Sequence, residues 1–147
     1  LLHQTAERLQ QKASAKKQPL REEPSPTPLY VLAAPELFSQ ILYNLTENAI
    51  KYTPKGGTIH IKARQEGDRA TITVTDNGIG IAPTDLPRIF DRFYRVDKAR
   101  ARKSGGNGIG LSLVKFLVEL FDGTIDVKSQ IGQGTTFTLT FPLTTKS

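Results

Sequence analysis

Two asparagines and a lysine share one face of a predicted helix. The apolar spacing predicts this helix over about residues 35–52, and at about 100° per residue Asn44, Asn48 and Lys51 fall within an arc of about 60°. Asparagine is a poor helix former because its amide competes for backbone hydrogen bonds. Amide oxygen suits Mg²⁺, and lysine offers a point charge to phosphate. The pattern therefore indicates a Mg²⁺-phosphate site, with a solvated helix face as the alternative.

A carboxylate and two glycines follow a predicted strand at residues 71–75. The segment reads DNGIGI over residues 76–81, with Asp76 at the strand end and glycines at Gly78 and Gly80. An Asn-Gly pair is also a strong hairpin signal, which favours a plain turn. However, Ala-Pro and not a returning strand comes next. Glycines let backbone approach a ligand closely, so Asp76 is a candidate to bind the amino group of a flat heterocycle.

Glycines recur at every second position before a second predicted helix. Gly106, Gly108 and Gly110 lead directly into the amphipathic stretch 109–121. Glycine-rich backbone at a helix N-terminus gathers free N–H groups and the positive end of the helix dipole, which together favour phosphate. The spacing matches neither the P-loop nor the dinucleotide motif. A flexible hinge is the alternative.

The positive charge of the chain is concentrated in one segment. The net charge is +6, and residues 85–104 contain seven Lys or Arg against three Asp, a net of +4. A concentrated basic loop suits a multivalent anion such as a triphosphate, although a solvated loop has the same composition. The alternating strands present no aromatic platform on which nucleic acid bases stack. No apolar run approaches the roughly 20 residues of a membrane span, and no cysteine is present.

The predicted elements indicate one α+β domain. Alternation predicts hairpin-connected strands, and helices would cover one face of an antiparallel-rich sheet. Four prolines between positions 19 and 28 predict an extended linker or edge segment there. Predicted helices span about residues 1–15, 35–52 and 109–121, and predicted strands span 29–32, 58–64, 70–74, 124–129 and 135–141.

Five motifs, each weak alone, occur in a specific order. They are Asn44-x-x-x-Asn48-x-x-Lys51-Tyr52, Asp76-x-Gly78-x-Gly80, Phe90-x-x-Phe93-Tyr94-Arg95, Gly106-x-Gly108-x-Gly110-Leu111 and Gly132-x-Gly134-Thr135. This order resembles the N, G1, F, G2 and G3 boxes of sensor histidine kinase catalytic domains. The resemblance covers about residues 29–142. It implies the Bergerat α/β sandwich, also found in type II topoisomerase ATPase domains, with a mixed, mostly antiparallel sheet and a mobile ATP lid.

The resemblance also implies roles for individual residues. Asn48 would hold Mg²⁺ with help from Asn44, and Asp76 would accept a hydrogen bond from the adenine amino group near Thr135. Phe90 and Phe93 would anchor the lid. The implied catalytic positions are Asn44, Asn48, Lys51 and Arg95, and the implied ATP-binding positions are Tyr52, Asp76, Gly78, Gly80, Ile81, Phe93, Gly106, Asn107, Gly108, Gly110, Leu111 and Thr135.

The residue at position 44 bears on the reaction. In the topoisomerase-type ATPases a glutamate at the matching position activates water, and an asparagine cannot act as that base. Glu47 lies about 60° away from Asn44 around the helix, which makes it a doubtful substitute. Phosphoryl transfer needs mainly positioning and charge neutralisation. The resemblance therefore implies a histidine kinase that uses Mg²⁺ and ATP, with a regulatory nucleotide-binding module lacking kinase activity as the alternative.

The acceptor histidine is expected outside this sequence. His3 lacks the acidic residue and proline that usually follow the acceptor in this family. Residues 1–18 resemble the C-terminal end of a dimerisation helix with the start of a linker, and residues 19–147 form the ATP-binding domain. The implied partners are the dimerisation and phosphotransfer helices of the full-length homodimer and a response regulator. We expect a monomeric fragment on the cytoplasmic side, without nucleic acid or membrane contact, and the anchoring of the full protein is left open.

Overall fold

The computed structural model describes residues 2–91 and 110–144. The helices are α1 (Leu2–Ala15), α2 (Pro35–Tyr52) and α3 (Gly110–Leu120), with a 3₁₀ turn at Leu86–Arg88. The strands are β1 (Leu20–Glu23), β2 (Ile59–Glu66), β3 (Arg69–Asp76), β4 (Thr124–Gln130) and β5 (Gly134–Pro142). Five residues with predicted roles lie outside the described ranges: Phe93, Arg95, Gly106, Asn107 and Gly108. In the described ranges no helix is both long and apolar enough to cross a membrane.

The five strands form one sheet in the order β1-β2-β3-β5-β4. β1 lies parallel to β2, and every other neighbouring pair is antiparallel. This arrangement confirms the predicted α+β class with a mixed, mostly antiparallel sheet. The parallel edge strand β1 falls inside the proline-rich segment, where an edge position is the one that tolerates proline.

The strand predicted at residues 29–32 is wrong. Only Val31 pairs there, in an isolated bridge with Leu143. Both edges of β5 are already occupied, by β3 and β4. Residues 29–32 therefore cannot pair along β5, and Val31 bridges the chain just beyond the end of that strand.

One face of the sheet is apolar and packs against the helices. Strand registers put Ile61, Val74 and Phe137 on this face, and all three are buried. At one end of the sheet, the ring of Phe38 from the start of α2 lies 5.1 Å from that of Phe141. At the other end, the Ile79 N–H donates to the Tyr52 carbonyl oxygen at 3.1 Å. α2 therefore runs along the core toward the Asp76 end of β3.

Helix α1 packs into the same core through its buried face. Leu9 and Ala13 have no exposed surface, and they join one continuous cluster with residues of α2 and the sheet. After α1, the Gln18 side-chain amide donates to the Ile50 and Thr53 carbonyls, and the Lys16 ammonium donates to Ile50 at 2.7 Å. These groups satisfy carbonyls at the C-terminus of α2, where a positive charge also complements the helix dipole.

We predict that truncating Leu9 destabilises the whole domain. Leu9→Ala removes a fully buried side chain and should lower the free energy of unfolding by about 2–5 kcal/mol. Urea unfolding followed by circular dichroism measures this, with exposed Gln11→Ala on the same helix as the control that changes stability by less than about 0.5 kcal/mol. Coincident unfolding curves for Leu9→Ala and the parent would show that α1 is not part of the cooperative unit.

Candidate functional site

The apolar face of the sheet ends in a row of polar side chains. Asp76 of β3 pairs with Thr135 of β5, and Thr135 pairs with Ser129 of β4. Directly paired residues point to the same face, so Asp76, Thr135 and Ser129, here called the polar row, lie side by side. In each strand, the residue of the polar row follows core residues on the same face, as Asp76 follows Val74 in β3. The polar row therefore forms a polar surface at one end of the core.

Asp76 is the buried carboxylate of this row. Its exposed fraction is 8%, and its Oδ1 accepts a hydrogen bond from the Gly78 N–H at 2.8 Å. Burial raises the pKa of Asp76 above its usual value, and main-chain N–H groups of Gly78 and Thr135 offset part of that effect. No cationic side chain within residues 2–91 and 110–144 is paired with Asp76, and a buried carboxylate of this kind is a candidate ligand-binding group.

Close backbone contacts explain two of the predicted glycines. A Cβ on Gly78 would overlap the Tyr52 carbonyl oxygen, and a Cβ on Gly80 would overlap the Gln130 carbonyl oxygen. Gly80 also has φ +77°, a conformation that side chains with Cβ rarely adopt. The segment after β3 is thus wedged between the C-terminus of α2 and the end of β4. It continues into the 3₁₀ turn, so the plain hairpin considered for Asn-Gly is wrong.

Ser129 links the segments that form the site through three hydrogen bonds, and the motifs in the sequence did not predict this role. Its Oγ lies 2.7 Å from the Ile81 amide nitrogen, 2.8 Å from Thr135 Oγ1 and 3.0 Å from the Gly134 carbonyl oxygen. The signal was present in the pattern of β4. Ile125 and Val127 alternate on the core face, and the next position on that face is a serine.

Asn44, Asn48 and Lys51 are half-buried and lie in the C-terminal half of α2. The Asn44 Oδ1 accepts a hydrogen bond from the Gln40 side-chain amide at 2.7 Å. The amide of Asn48 has no hydrogen-bond partner in the described ranges. Lys51 lies one turn further on, next to Tyr52, whose carbonyl contacts the segment after β3. The structure therefore brings this helix end close to Asp76.

Glu47 is held by a cation from α1. The Lys12 ammonium donates to Glu47 Oε2 at 2.6 Å. Burial raises the pKa of Glu47, whereas the hydrogen bond and charge of Lys12 and the charge of Lys51 lower it. The lowering effects are larger together, so the pKa of Glu47 lies below its usual value. A carboxylate that is already hydrogen-bonded and less basic than usual is a weak general base.

Helix α3 runs from the Phe137 side of the core toward Phe141. Lys115 in its middle lies 5.7 Å from the centre of the Phe90 ring, which contacts Phe137. A Cβ on Gly123, three residues beyond the helix, would overlap the Phe141 ring, so the N-terminus of α3 is directed toward the polar-row end of the sheet. Gly110, its first residue, is exposed, and a Cβ there would meet no atom of the described residues within 4 Å. Leu111 is half-buried, and Phe90 lies edge-on to Phe137 with ring centres 6.3 Å apart.

The donor groups of the site bear on the predicted metal. No cluster of three His, Asp or Glu side chains in residues 2–91 and 110–144 is arranged to hold a metal ion by itself. The amides of Asn48 and Asn44 remain, and the Asn44 oxygen is shared with Gln40. Mg²⁺ usually keeps several waters and takes few protein ligands besides phosphates. The residues therefore fit Mg²⁺ that arrives with a triphosphate, and they do not form a metal cage of their own.

Comparison with known proteins identifies the family. Residues 33–145 match the family described as histidine kinase-, DNA gyrase B-, and HSP90-like ATPase. The chain belongs to this family. It is 49% identical over 118 residues to the sensor-like histidine kinase SenX3 of Mycobacterium bovis, which covers 80% of the chain and 29% of that protein. It is 45% identical over 113 residues to the signal transduction histidine-protein kinase ArlS of Staphylococcus aureus, covering 77% of the chain and 25% of ArlS.

Solved structures place the fold in the same family. The mycobacterial sensor histidine kinase MprB superimposes with a TM-score of 0.82 at 25% identity, over 97% of the chain and 91% of that structure. Full-length ShkA in complex with AMPPNP gives 0.84 at 31% identity, over 99% of the chain and 30% of ShkA. The chain spans less than a third of the length of the curated relatives SenX3 and ArlS. It corresponds to the catalytic domain of these sensor kinases, which confirms the resemblance found in the sequence.

We predict that Asp76→Asn stabilises the empty domain at neutral pH. Because the folded-state pKa of Asp76 is raised, the folded chain binds more protons than the unfolded chain, and the free energy of unfolding falls as pH rises through the folded pKa. Asparagine removes this cost and keeps an oxygen for the Gly78 N–H.

Urea unfolding at a series of pH values measures the effect. The advantage of Asp76→Asn over the parent should be largest near pH 7 and shrink as pH falls toward the ordinary carboxylate value of about 3.9. Exposed Asp68→Asn on the β2–β3 turn is the matched control and should show no such trend. A parent that is more stable than Asp76→Asn at pH 7 would contradict the assigned direction of the pKa shift.

Proposed function

We propose that the chain binds Mg²⁺-ATP at the polar row and donates the γ-phosphate to a histidine on a separate dimerisation and phosphotransfer domain of the full-length protein. The observation that carries the proposal is the placement of Asp76. This buried carboxylate lies at the end of the core, beside the helix end that bears two asparagine amides and a lysine. The relatives SenX3 and ArlS are named as histidine kinases, and the ShkA structure contains AMPPNP.

The base of the nucleotide would lie on the polar row. Asp76 is acceptor-only when ionised, with about four lone-pair sites on its two oxygens. The main-chain N–H groups of Gly78 and Thr135 use only part of this capacity, so an acceptor site remains for the amino group of adenine. Gly78, Gly80 and Ile81 would form the wall along the segment after β3, and Tyr52 would flank the base from the end of α2. Thr135 would take part from the neighbouring strand.

The phosphates would lie along the C-terminal half of α2. Asn48, whose amide has no hydrogen-bond partner among the described residues, is assigned to Mg²⁺ with help from Asn44. The Asn44 oxygen would then be shared between Mg²⁺ and the Gln40 amide. Mg²⁺, when bound, supplies positive charge to the phosphate oxygens. The Lys51 ammonium supplies a second charge, and the N–H groups at the start of α3, beginning with Gly110 and Leu111, face the same end. Arg95, Gly106, Asn107 and Gly108 are assigned to the phosphates from the sequence alone.

The contacts of Glu47 favour transfer to an acceptor over hydrolysis. Activation of water requires a free base beside the phosphates. Asn44 cannot accept a proton from water, and Glu47 is hydrogen-bonded to Lys12 with its pKa lowered. The site can therefore position ATP while water attacks it slowly, and an external nucleophile completes the reaction.

The histidines within the chain are unsuitable acceptors. His3 contacts Glu22 and Glu7, and the hydrogen bond and charge of Glu22 raise the pKa of His3. A raised pKa favours the imidazolium, which has no free lone pair for attack on phosphorus. His60 alternates with the core residues Ile59 and Ile61, so it lies on the sheet face opposite the polar row. An acceptor from elsewhere is required.

The partners follow from this requirement. Residues 1–18 are proposed to be the end of a dimerisation helix and the start of the linker, so the acceptor helices would precede α1 in the full-length homodimer. A response regulator would then accept the phosphate. The fragment alone is proposed to be a monomer on the cytoplasmic side, without nucleic acid or membrane contact.

We predict that the isolated chain phosphorylates a histidine supplied in trans. The experiment mixes the chain with γ-³²P-labelled ATP, Mg²⁺ and a helical hairpin from a sensor kinase that carries its acceptor histidine. Acid-labile label should appear on the hairpin, and a hairpin with His→Gln should remain unlabelled.

Asn48→Ala is the variant that tests the role of the metal in the same assay. It should abolish transfer and remove the Mg²⁺-dependent part of ATP affinity, while Glu36→Ala at the far, exposed end of α2 leaves both unchanged. Binding of ATP without transfer to any hairpin would favour the regulatory module, and full activity of Asn48→Ala would discard the assigned role of Asn48.

A further inference from the structure

One hydroxyl group joins three segments of the nucleotide site. Ser129 Oγ contacts the Ile81 amide nitrogen, the Gly134 carbonyl oxygen and Thr135 Oγ1, at distances between 2.7 and 3.0 Å. The first contact reaches the segment after β3, and the other two reach the start of β5. Ser129 is half-buried and Thr135 is buried, with 7% of its surface exposed.

The number of protons fixes the direction of each hydrogen bond. A serine hydroxyl has one proton to donate and can accept two hydrogen bonds. The Ile81 N–H can only donate, and the Gly134 carbonyl can only accept. All three bonds form together in one arrangement alone: Ser129 accepts from Ile81, donates to Gly134, and accepts the proton of the Thr135 hydroxyl.

This arrangement determines what Thr135 offers to a ligand. Its single proton is used on Ser129, so the oxygen can only accept hydrogen bonds from a ligand. Asp76, directly paired with Thr135 in the sheet, is an acceptor as well when ionised. Two neighbouring acceptors would then meet a base bound at the polar row, and neither side chain has a proton to donate.

We propose that Ser129 is a positioning residue that sets the site to prefer a purine with a 6-amino group over one with a 6-oxo group. This inference rests on the proposed function. A 6-amino group brings two N–H donors to the two acceptors, whereas a 6-oxo group brings lone pairs against them. Without Ser129 the Thr135 hydroxyl is free to rotate and donate its proton to an oxo group. Loss of Ser129 therefore weakens the discrimination between the two bases.

The test compares the dissociation constants of ADP, whose base has a 6-amino group and an unprotonated N1, and inosine diphosphate, whose base has a 6-oxo group and a protonated N1. Calorimetric titrations are run on the parent, Ser129→Ala, Ser129→Thr and Thr136→Val. Thr136→Val is the matched control. Thr136 follows Thr135 in β5 and points to the opposite face of the sheet, where its hydroxyl lies 3.3 Å from that of Thr75 in β3. Ser129→Thr retains the hydroxyl and serves as the rescue.

We expect the parent to prefer ADP, and Ser129→Ala to lose about five- to tenfold of that preference, the worth of one oriented hydrogen bond. Ser129→Thr and Thr136→Val should keep the parent ratio of the two constants. Thr135→Val should show the reduced ratio, and adding Ser129→Ala to it should change the ratio no further. Circular dichroism confirms that each variant is folded.

Three results separate the possible failures. If the parent binds neither nucleotide, the proposed function fails. If the parent binds ADP but Ser129→Ala keeps the parent ratio, or loses affinity for both nucleotides equally, Ser129 has no role in base selection and the inference is overturned. Should Ser129→Ala not fold, an unchanged ratio in Thr135→Val overturns the inference in the same way.

Discussion

The burial of Asp76 lowers the stability of the fold and places an acceptor group where a ligand could bind it. The strand that carries it otherwise presents apolar residues to the helices, and the last residue on that face is a carboxylate with 8% of its surface exposed. Burial disfavours the charged form, and the main-chain N–H groups of Gly78 and Thr135 offset part of that cost. A ligand that donates a hydrogen bond relieves it further. The glycines of this segment are needed because backbone atoms of α2 and β4 press against them on both sides.

The position of α2 couples this site to the N-terminal helix. The carbonyls at the end of α2 are satisfied by Gln18 and Lys16, and Glu47 in its middle is paired with Lys12. The same helix carries Asn48 and Lys51. A shift of α1 would therefore move the side chains assigned to the phosphates, which suits a domain whose N-terminal helix is proposed to continue into the dimerisation domain.

Much of the fold was predictable because strict alternation leaves little choice of face. Ile59 and Ile61 alternate with His60 and Lys62, which determined the strand and its buried side. The failures concern pairing over long distances. Nothing local distinguishes residues 20–23, which gain a partner in β2, from residues 29–32, which find both edges of β5 occupied. The sequence predicted that residues 1–18 belong to a different domain from residues 19–147, and it did not predict that Leu9 is fully buried in the shared core.

The candidate site was predictable where residue types are unusual for their element. Asparagines in a helix and an aspartate at the end of an apolar strand face need a reason, and the structure brings Asn48 and Asp76 to the same end of the sheet. Ser129 was missed because one serine in a strand is unremarkable until its three partners are known. Those partners come from two other segments, the one after β3 and the start of β5, so only the tertiary structure reveals them. The residues assigned between positions 92 and 109 stay predictions from the sequence.

The central claim is that Asp76 receives the base of an adenine nucleotide, and calorimetric titration with ADP tests it most directly. The account predicts a clear heat of association for the parent at pH 7 and its loss in Asp76→Ala, provided circular dichroism shows that the variant is folded. Absence of any heat with the folded parent, with or without Mg²⁺, would contradict the account. Equal affinity in the parent and Asp76→Ala would contradict it as well.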